Sequence, residues 1–296
     1  MNIVDLESFV TVAESGSIVG AAARLHLTQS AITRRIQNLE EALGVELFDR
    51  QSRPIQLTAA GKATYEAAKP VLCSVNELKS AVVLNGEPSG SFRFGIARGL
   101  GEGALLTTIT QLREAFPLVR LQAYAQWTEV LRDRVQSRSL DAAAVLLPQS
   151  AVPPQTTECE FLGKQAFVVV SSQNASIAKA KELKDLSETG WIVSPESCGT
   201  RSQVEAALSR QRLPFTVAVE TEGKDLQLSL VAQNVGLGVV PKQVYLASAQ
   251  RKNLAVLRLK DFVPSQDLWM IRPRNNGSQV KIIDALRRAL LQAIRV

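Results

Sequence analysis

Hydrophobic residues recur every three or four positions between Ala21 and Glu40, and this spacing predicts two short helices joined by a tight turn. The first helix is rich in alanine, whose small side chain permits close packing. The second begins after Thr28, a residue type favoured at helix N-caps. Its apolar face carries Ala31, Ile32, Ile36 and Leu39, and its polar face carries Gln29, Ser30, Thr33, Arg34 and Gln37.

A helix with an apolar back and a Gln/Ser/Thr/Arg front is suited to insertion into a DNA major groove, where base edges present hydrogen-bonding groups. The alternative is an ordinary amphipathic helix pair whose polar face is only solvated. The following residues favour the first interpretation. Leu43-Gly44 is typical of a helix C-terminus, segments 45–50 and 53–58 predict a two-stranded wing, and a new helix begins at Thr58. This order of elements is a winged helix-turn-helix plan.

The segment from Thr58 to Leu84 predicts a long helix, because apolar residues recur along it at Leu72, Val75, Leu78 and Val82. Such a helix is suited to pairing with its copy in a second chain, or it is a core helix of its own domain. Pro70 lies inside it and predicts a kink or an interruption. Residues 85–90, Asn-Gly-Glu-Pro-Ser-Gly, have the composition of a linker.

From Ser91 onward, strand-like and helix-like segments alternate. Strands are predicted at 91–97, 119–125, 140–147, 166–171, 191–194, 216–220, 236–240, 254–258 and 267–272, and helices at 103–116, 128–136, 200–212, 223–233, 242–249 and 277–294. This alternation predicts an α/β domain with mostly parallel sheets flanked by helices. About two hundred residues of this pattern fit two small α/β lobes better than one sheet.

The distribution of charge bears on the choice of ligand. The 296 residues carry a net charge of +6, but residues 1–90 hold eight Lys and Arg against ten Asp and Glu, so the remainder carries +8. The bulk charge therefore says nothing about DNA binding, which would depend on a local group near the presumed DNA face: Arg24, Arg34, Arg35, Arg50 and Arg53. The downstream excess suits an anionic small molecule, or it serves only solubility.

Several classes of protein fit the composition poorly. Three scattered cysteines, Cys73, Cys159 and Cys198, do not form a disulfide framework or a zinc site. The chain has a single histidine, His26, so its composition disfavours a Ser–His or Cys–His catalytic pair. The N-terminus resembles no signal peptide and no segment reaches membrane-spanning length. We therefore expect a cytoplasmic protein that is not an enzyme, does not bind a membrane, and needs no metal or cofactor.

Three loops of the α/β region are candidates for ligand binding, because open parallel sheets bind ligands beyond the carboxyl ends of their strands. They are residues 98–103, residues 126–128 and residues 195–201. Helix N-termini there favour carboxylate or phosphate groups, and two arginines would add charged donors. The predicted contacts are Arg98, Gly99, Leu100, Trp127, Thr128, Cys198, Gly199, Thr200 and Arg201. The alternative for each loop is simple capping and turn chemistry.

The run from Phe9 to Gly61 resembles the N-terminal domain of LysR-type transcriptional regulators. The matching segments include residues 12–17, 21–25, 28–36, 47–50 and 57–61, without a gap. Ser30 stands where the family often has Pro, Thr33 where it often has Ser, and Pro54 is unusual in the wing. In the C-terminal region, Gln126-Trp127 replaces the small or short polar residues often found before Thr128.

This resemblance implies a winged helix-turn-helix (1–58), a linker and dimerisation helix (59–90) and an effector domain like a periplasmic binding protein (91–296). The effector domain would have lobe I at about 91–163 and 267–296 and lobe II at about 164–266, with the effector between them. The DNA contacts would be Gln29, Ser30, Thr33, Arg34 and Arg53. The implied partners are promoter DNA, a small effector, a second chain, a tetramer made of two dimers, and RNA polymerase.

Two other functions compete with this interpretation. Cys198 precedes a predicted helix N-terminus, where a thiolate is favoured, so a thiol redox switch is conceivable, although no second cysteine lies close to it in sequence. An enzyme fused to a DNA reader is the other, but the chain shows no phosphate-binding or nucleotide motif and no paired carboxylates in the proposed cleft.

Overall fold

A computed structural model describes residues 1–49, 52, 54–81, 88–149, 151, 153, 156–195, 199–274 and 279–294. The chain divides into two compact units, one within residues 1–86 together with Ser137–Ser139, and the other within the remaining residues. Among the described residues, no helix combines the length and apolar composition needed to cross a membrane.

The helices of the described residues, in chain order, are α1 (Ile3–Ser15), α2 (Ile18–Leu25), α3 (Gln29–Leu43), α4 (Ala59–Ala81), α5 (Glu102–Ala115), α6 (Thr128–Gln136), α7 (Gly199–Arg210), α8 (Lys224–Ala232), α9 (Lys242–Ala247) and α10 (Val280–Ile294). The strands are β1 (Phe48–Asp49), β2 (Gln56–Leu57), β3 (Gly90–Ala97), β4 (Val119–Gln126), β5 (Ala142–Leu147), β6 (Glu158–Ser172), β7 (Trp191–Val193), β8 (Val217–Glu220), β9 (Leu237–Pro241), β10 (Leu254–Leu257) and β11 (Ser265–Arg272).

The first unit packs α1, α2 and α3 around one apolar core. Ile32, Ile36 and Leu39 of α3 are buried, whereas Ala31 is only half-buried. Close packing of α2 uses Ala21 and Ala22, which are both buried. The wing joins this core because Phe48 of β1 packs against Phe9 of α1, with ring centroids 5.3 Å apart. The predicted wing is present as the antiparallel pair of β1 and β2.

Local hydrogen bonds set the ends of α3. The Thr28 hydroxyl accepts from the Ala31 N–H at 3.2 Å, so Thr28 is the predicted N-cap. Gly44 ends the helix in the left-handed region, at φ 70°, a conformation that costs glycine little. Beyond this end, the Glu40 carboxylate accepts from the Leu47 N–H at 2.8 Å and fixes the entry to the wing.

Helix α4 runs continuously from Ala59 to Ala81 with Pro70 inside it. The predicted interruption at Pro70 therefore does not occur, although proline removes one backbone hydrogen bond of the helix; the alternative, a kink at Pro70, stays a prediction. Two apolar side chains of α4 face solvent in the single chain: Val71 is 48% exposed and Leu78 is 68% exposed. Of the residues predicted for the linker, 85–87 lie outside the described part of the chain, and Gly90 is the first residue of β3.

The described residues of the second unit form a nine-stranded sheet with the order β4-β3-β5-β11-β6-β9-β7-β8, and β10 also pairs with β6. Strand β3 is parallel to β4 and β5, and β7 is parallel to β8 and β9. Strands β6 and β11, however, run antiparallel to all their partners. The predicted mostly parallel arrangement is therefore wrong, because two long strands carry the chain across the domain and back.

Strand β6 is shared by two lobes. Its residues 158–166 pair with β11, and its residues 167–172 pair with β9 and β10. We call lobe I the part built on β3, β4, β5 and β11, and lobe II the part built on β7, β8, β9 and β10. The sequence predicted only residues 166–171 of β6, because the first half of the strand consists mostly of exposed and partly buried positions and lacks a continuous apolar run.

Candidate functional site

The polar face of α3 is the first candidate site, and we call Gln29, Ser30, Thr33 and Arg34 the α3 polar surface. Gln29, Ser30 and Arg34 are exposed and Thr33 is half-buried. The Thr33 hydroxyl donates to the Gln29 carbonyl at 2.9 Å, and the hydroxyls of Thr28 and Ser30 lie 3.0 Å apart. Gln29 and Arg34 make no side-chain hydrogen bond or ion pair with any described residue. Their donors and acceptors are available to a partner.

The arginines near this surface have different roles. Arg35 is half-buried, and its guanidinium donates to the hydroxyl of Ser8, a residue of α1 that is fully buried. Helical rotation of about 100° per residue turns Arg35 toward α1 while Arg34 faces solvent, and the place of Arg35 near the DNA face stays a prediction. Arg24 lies 3.9 Å from Glu14 in an exposed ion pair. Arg50 and Arg53 lie outside the described residues.

The turn of the wing is held by a serine. The Ser52 hydroxyl donates to the Asp49 carbonyl at 2.9 Å and accepts from the Gln56 N–H at 2.9 Å. These two bonds link the two strands of the wing across its turn. Composition alone does not single out Ser52, because its role depends on the pairing of β1 with β2.

The second candidate site lies where lobe I and lobe II meet. The loop after β3 forms a 3-10 turn, Arg98–Leu100, in which Leu100 is fully buried. The Arg98 guanidinium forms an ion pair with the Glu222 carboxylate, which follows β8 of lobe II. It also lies 5.4 Å from the centroid of the Trp127 ring. A Cβ at Gly99 would lie 2.7 Å from Leu146 Cδ1, so a larger residue there would require the Leu146 side chain to move.

Thr128 is the first residue of α6, not its N-cap. Its hydroxyl donates to the Leu146 carbonyl at 3.1 Å and lies 3.3 Å from the Leu146 N–H. The Thr128 hydroxyl therefore does not cap the helix, because it bonds the backbone at the end of β5 instead. This bond fixes the loop of residues 126–128 against the sheet.

The loop before α7 contributes residues from lobe II. Arg201 donates to Glu205 Oε1 at 2.9 Å and to Glu220 Oε2 at 2.7 Å, and its side chain is only 12% exposed. The hydrogen bond that Arg201 donates to Glu205, followed by the one it donates to Glu220, raises the pKa of Arg201 above its ordinary value. Thr200 is buried and Gly199 begins the helix. Cys198 lies outside the described residues, so the structure does not test the hypothesis of a thiol redox switch.

Arg98 and Arg201 are predicted as charged donors to an effector, but in this structure both hold carboxylates of the chain itself, so the effector contact stays a prediction. Sequence reasoning missed Glu220 and Glu222, because each lies about twenty residues or more from its arginine. It also missed four glutamines near the junction of the lobes: Gln165, Gln203, Gln243 and Gln266. No local motif marks them, since they come from different elements. Among the described residues, no group of three His, Cys, Asp or Glu side chains is arranged to hold a metal ion.

Comparison with known proteins agrees with this architecture. Residues 3–62 match the model of the bacterial regulatory helix-turn-helix protein, lysR family, and residues 85–295 match that of the LysR substrate binding domain. The HTH-type transcriptional regulator ShiR of Corynebacterium glutamicum (strain R) is 28% identical over 81% of this chain and 81% of its own length. The HTH-type transcriptional regulator CzcR of Bacillus cereus is 30% identical over 82% of this chain and 81% of its own.

Solved structures share the fold over nearly the whole chain. A full-length variant of OxyR from Pseudomonas aeruginosa superposes with a TM-score of 0.80 at 20% identity, covering 100% of this chain and 97% of that one. Full-length CbnR in complex with its target DNA has a TM-score of 0.67 at 20% identity, covering 98% of this chain and 100% of that one. The two matched family domains together span nearly all of the sequence. The chain therefore belongs to the LysR family of DNA-binding transcriptional regulators.

Proposed function

We propose that this regulator reads duplex promoter DNA with the α3 polar surface and responds to a small anionic effector bound between lobe I and lobe II. The observation that carries the DNA-reading role is the asymmetry of α3. Its apolar side is buried in the first unit, while Gln29 and Arg34 project donors and acceptors that no described residue uses. Such groups at the N-terminal part of a recognition helix are suited to base edges and phosphates. Arg53 of the wing would add a backbone or minor-groove contact.

The same proposal includes assembly. The exposed Val71 and Leu78 of α4 would be buried against α4 of a second chain, giving a homodimer with two DNA readers. Two such dimers would form a homotetramer that bends its promoter and presents a surface to RNA polymerase in the cytoplasm. We assign the protein no catalytic role, since the one histidine, His26, is the C-cap residue of α2.

Selection of DNA from a random duplex library by the purified full-length protein tests this function. We expect the selected sequences to contain an inverted repeat, because two identical readers related by a two-fold axis require a roughly dyad-symmetric site. Recovery of sequences without any shared motif would contradict the proposal.

For the effector, the cross-lobe ion pair between Arg98 and Glu222 suggests a competition. A carboxylate on a small molecule would replace that of Glu222 on the Arg98 guanidinium, which is a favourable partner for such groups. The ring of Trp127, 5.4 Å from this guanidinium, would offer a flat apolar surface beside it. Effector binding would therefore break the ion pair that joins lobe I to lobe II. This would change the relative free energies of the two states of the regulator.

Replacement of Glu222 by Gln is expected to strengthen binding of benzoate, used as a probe, by about 1.5- to 5-fold. An exposed ion pair contributes roughly 0.2–1 kcal/mol, and the neutral amide no longer competes with the probe for Arg98. Isothermal titration of the full-length protein measures the affinity.

The matched control is Glu158→Gln, which removes the carboxylate of a partly exposed ion pair with Arg272, a residue outside the predicted effector contacts. This control should leave benzoate binding unchanged. Combination of Glu222→Gln with Arg98→Ala should abolish the gain. Equal affinity in the wild type and the Glu222→Gln variant would exclude the competition.

A further inference from the structure

Four glutamines lie where β6 meets β11, at the junction of the lobes. Gln165 of β6 and Gln266 of β11 face each other in the strand register, and each is only 3% exposed. The Gln165 amide is paired with that of Gln243 in both directions, at 2.7 Å and 2.9 Å. Gln243 also lies 3.5 Å from the Leu100 carbonyl of lobe I. The Gln165 amide is therefore saturated by groups of the protein.

The neighbouring amide of Gln266 is not saturated. Its Nε2 is buried and has no hydrogen-bond partner among the described residues. It points at the first residue of α7, since a Cβ on Gly199 would lie 2.3 Å from this nitrogen. A larger residue at position 199 would therefore displace the Gln266 amide from this position.

Gln203 lies one turn further along α7. It has an acceptor oxygen without a partner, which complements the unpaired donor of Gln266. Its Nε2 donates to the Ser265 carbonyl at 2.7 Å, which places the side chain beside the start of β11. Its Oε1 is buried and has no partner among the described residues. A donor on Gln266 and an acceptor on Gln203 thus remain open where α7 packs on β11.

Buried polar groups without partners cost free energy, so native proteins normally satisfy them with protein, water or ligand atoms. A hydroxyl group matches such a pair of positions, because it accepts one hydrogen bond and donates another. A carboxylate can only accept, and it would face the Gln203 carbonyl oxygen unfavourably. The two open positions therefore select a group that both donates and accepts.

We propose that Gln203 and Gln266 bind a hydroxyl group of the effector, so that the effector is a hydroxylated carboxylic acid. This inference rests on the proposed effector function, in which Arg98 holds the carboxylate. Gln266 Nε2 donates a hydrogen bond to the hydroxyl oxygen, and Gln203 Oε1 accepts a hydrogen bond from the hydroxyl group. The two glutamines thereby determine specificity among acids of similar size.

A high-resolution crystal structure of the full-length protein without effector provides the first test. We expect an ordered water molecule that bridges Gln203 Oε1 and Gln266 Nε2, occupying the position of the hydroxyl. A direct hydrogen bond between the two amides would overturn the inference. An orientation in which the Gln266 carbonyl accepts from the N terminus of α7 would also overturn it.

Binding of matched acids is the second test. Isothermal titration of the full-length protein compares benzoate with its three monohydroxy derivatives and succinate with malate. We expect one hydroxylated acid to bind at least about tenfold more tightly than its partner that lacks the hydroxyl, because loss of the hydroxyl leaves both amides unpaired. In Gln266→Leu and Gln203→Leu this ratio should fall to about one. The control Gln111→Leu removes a glutamine that bonds Gln292 of α10 and should preserve the ratio.

The outcomes separate the two proposals. If the acids without a hydroxyl bind as tightly as their hydroxylated partners, the hydroxyl site is wrong and the anionic-effector function stands. If no acid of either kind binds the wild type or Glu222→Gln, the anionic-effector function is wrong and the hydroxyl site fails with it.

Discussion

Replacement of both Gln29 and Arg34 by alanine is expected to abolish sequence-specific operator binding at protein concentrations that saturate the wild type. Loss of a side chain that reads a base costs about 1–3 kcal/mol, or roughly 5- to 150-fold in affinity, and the two losses would add if the contacts are independent. Neither side chain bonds another described residue, so the variant should remain folded. Mobility-shift titration with the selected operator measures the loss.

The single variants separate two kinds of contact. If Gln29 reads a base, Gln29→Ala should lower discrimination between the operator and a mismatched site without changing the salt dependence of binding. If Arg34 binds a phosphate, Arg34→Ala should weaken binding to all sequences and reduce the salt slope by about 1. Asn38→Ala, an exposed position in the C-terminal half of α3, is the control and should bind like the wild type. Unchanged operator discrimination in the double variant would remove this surface from the DNA interface.

Gly61→Ala is expected to destabilise the first unit by about 3 kcal/mol, although Gly→Ala inside a helix ordinarily stabilises. A Cβ at Gly61 would lie 2.0 Å from the Leu47 carbonyl oxygen and 3.1 Å from Leu57 Cδ2. The obstruction is backbone, which no rotamer change can move aside. The same backbone is also fixed by Thr58, whose N–H donates to the Leu47 carbonyl at 3.0 Å.

Thermal unfolding followed by circular dichroism measures this effect. A unit of this size should lose roughly 4–8 °C in Tm for each kcal/mol, so its transition should fall by about 10–25 °C while that of the second unit stays in place. Gly103→Ala in the first turn of α5 is the matched control, because no atom lies within 4 Å of a Cβ there. It should be neutral or slightly stabilising. A Gly61→Ala variant as stable as the wild type would show that Leu47 and α4 can separate at no cost.

Much of the secondary structure follows from local pattern. The predicted helix at 128–136 coincides with α6, and the predicted strand at 91–97 differs from β3 by one residue. Thr28 and Gly44 mark the ends of α3 because N-caps and left-handed C-caps depend on one residue and its immediate neighbours. The local pattern did not decide whether α4 continues through Pro70. Its continuity shows that the helical preference of the other residues outweighs the effect of one proline.

The candidate effector site combines local features with contacts between distant segments. Helix N-termini and arginines near 98 and 201 could be found by inspection, because strand-to-helix loops have a recognisable composition. Their partners could not, since Glu222 lies far from Arg98 in sequence and reaches it only through the packing of the lobes. The open amides of Gln203 and Gln266 likewise depend on how α7 packs against β11.

The sequence by itself determined the helix-turn-helix, the wing, the alternating α/β pattern and the two faces of α3, because each depends on periodicity and capping within a few residues. Only the tertiary structure decided the mixed sheet, the shared strand β6 and the inward turn of Arg35. It also decided that Arg98 and Arg201 are already paired with carboxylates of the chain. These features depend on strand register and on contacts between distant segments, and the free energy of such contacts is not encoded in any local pattern.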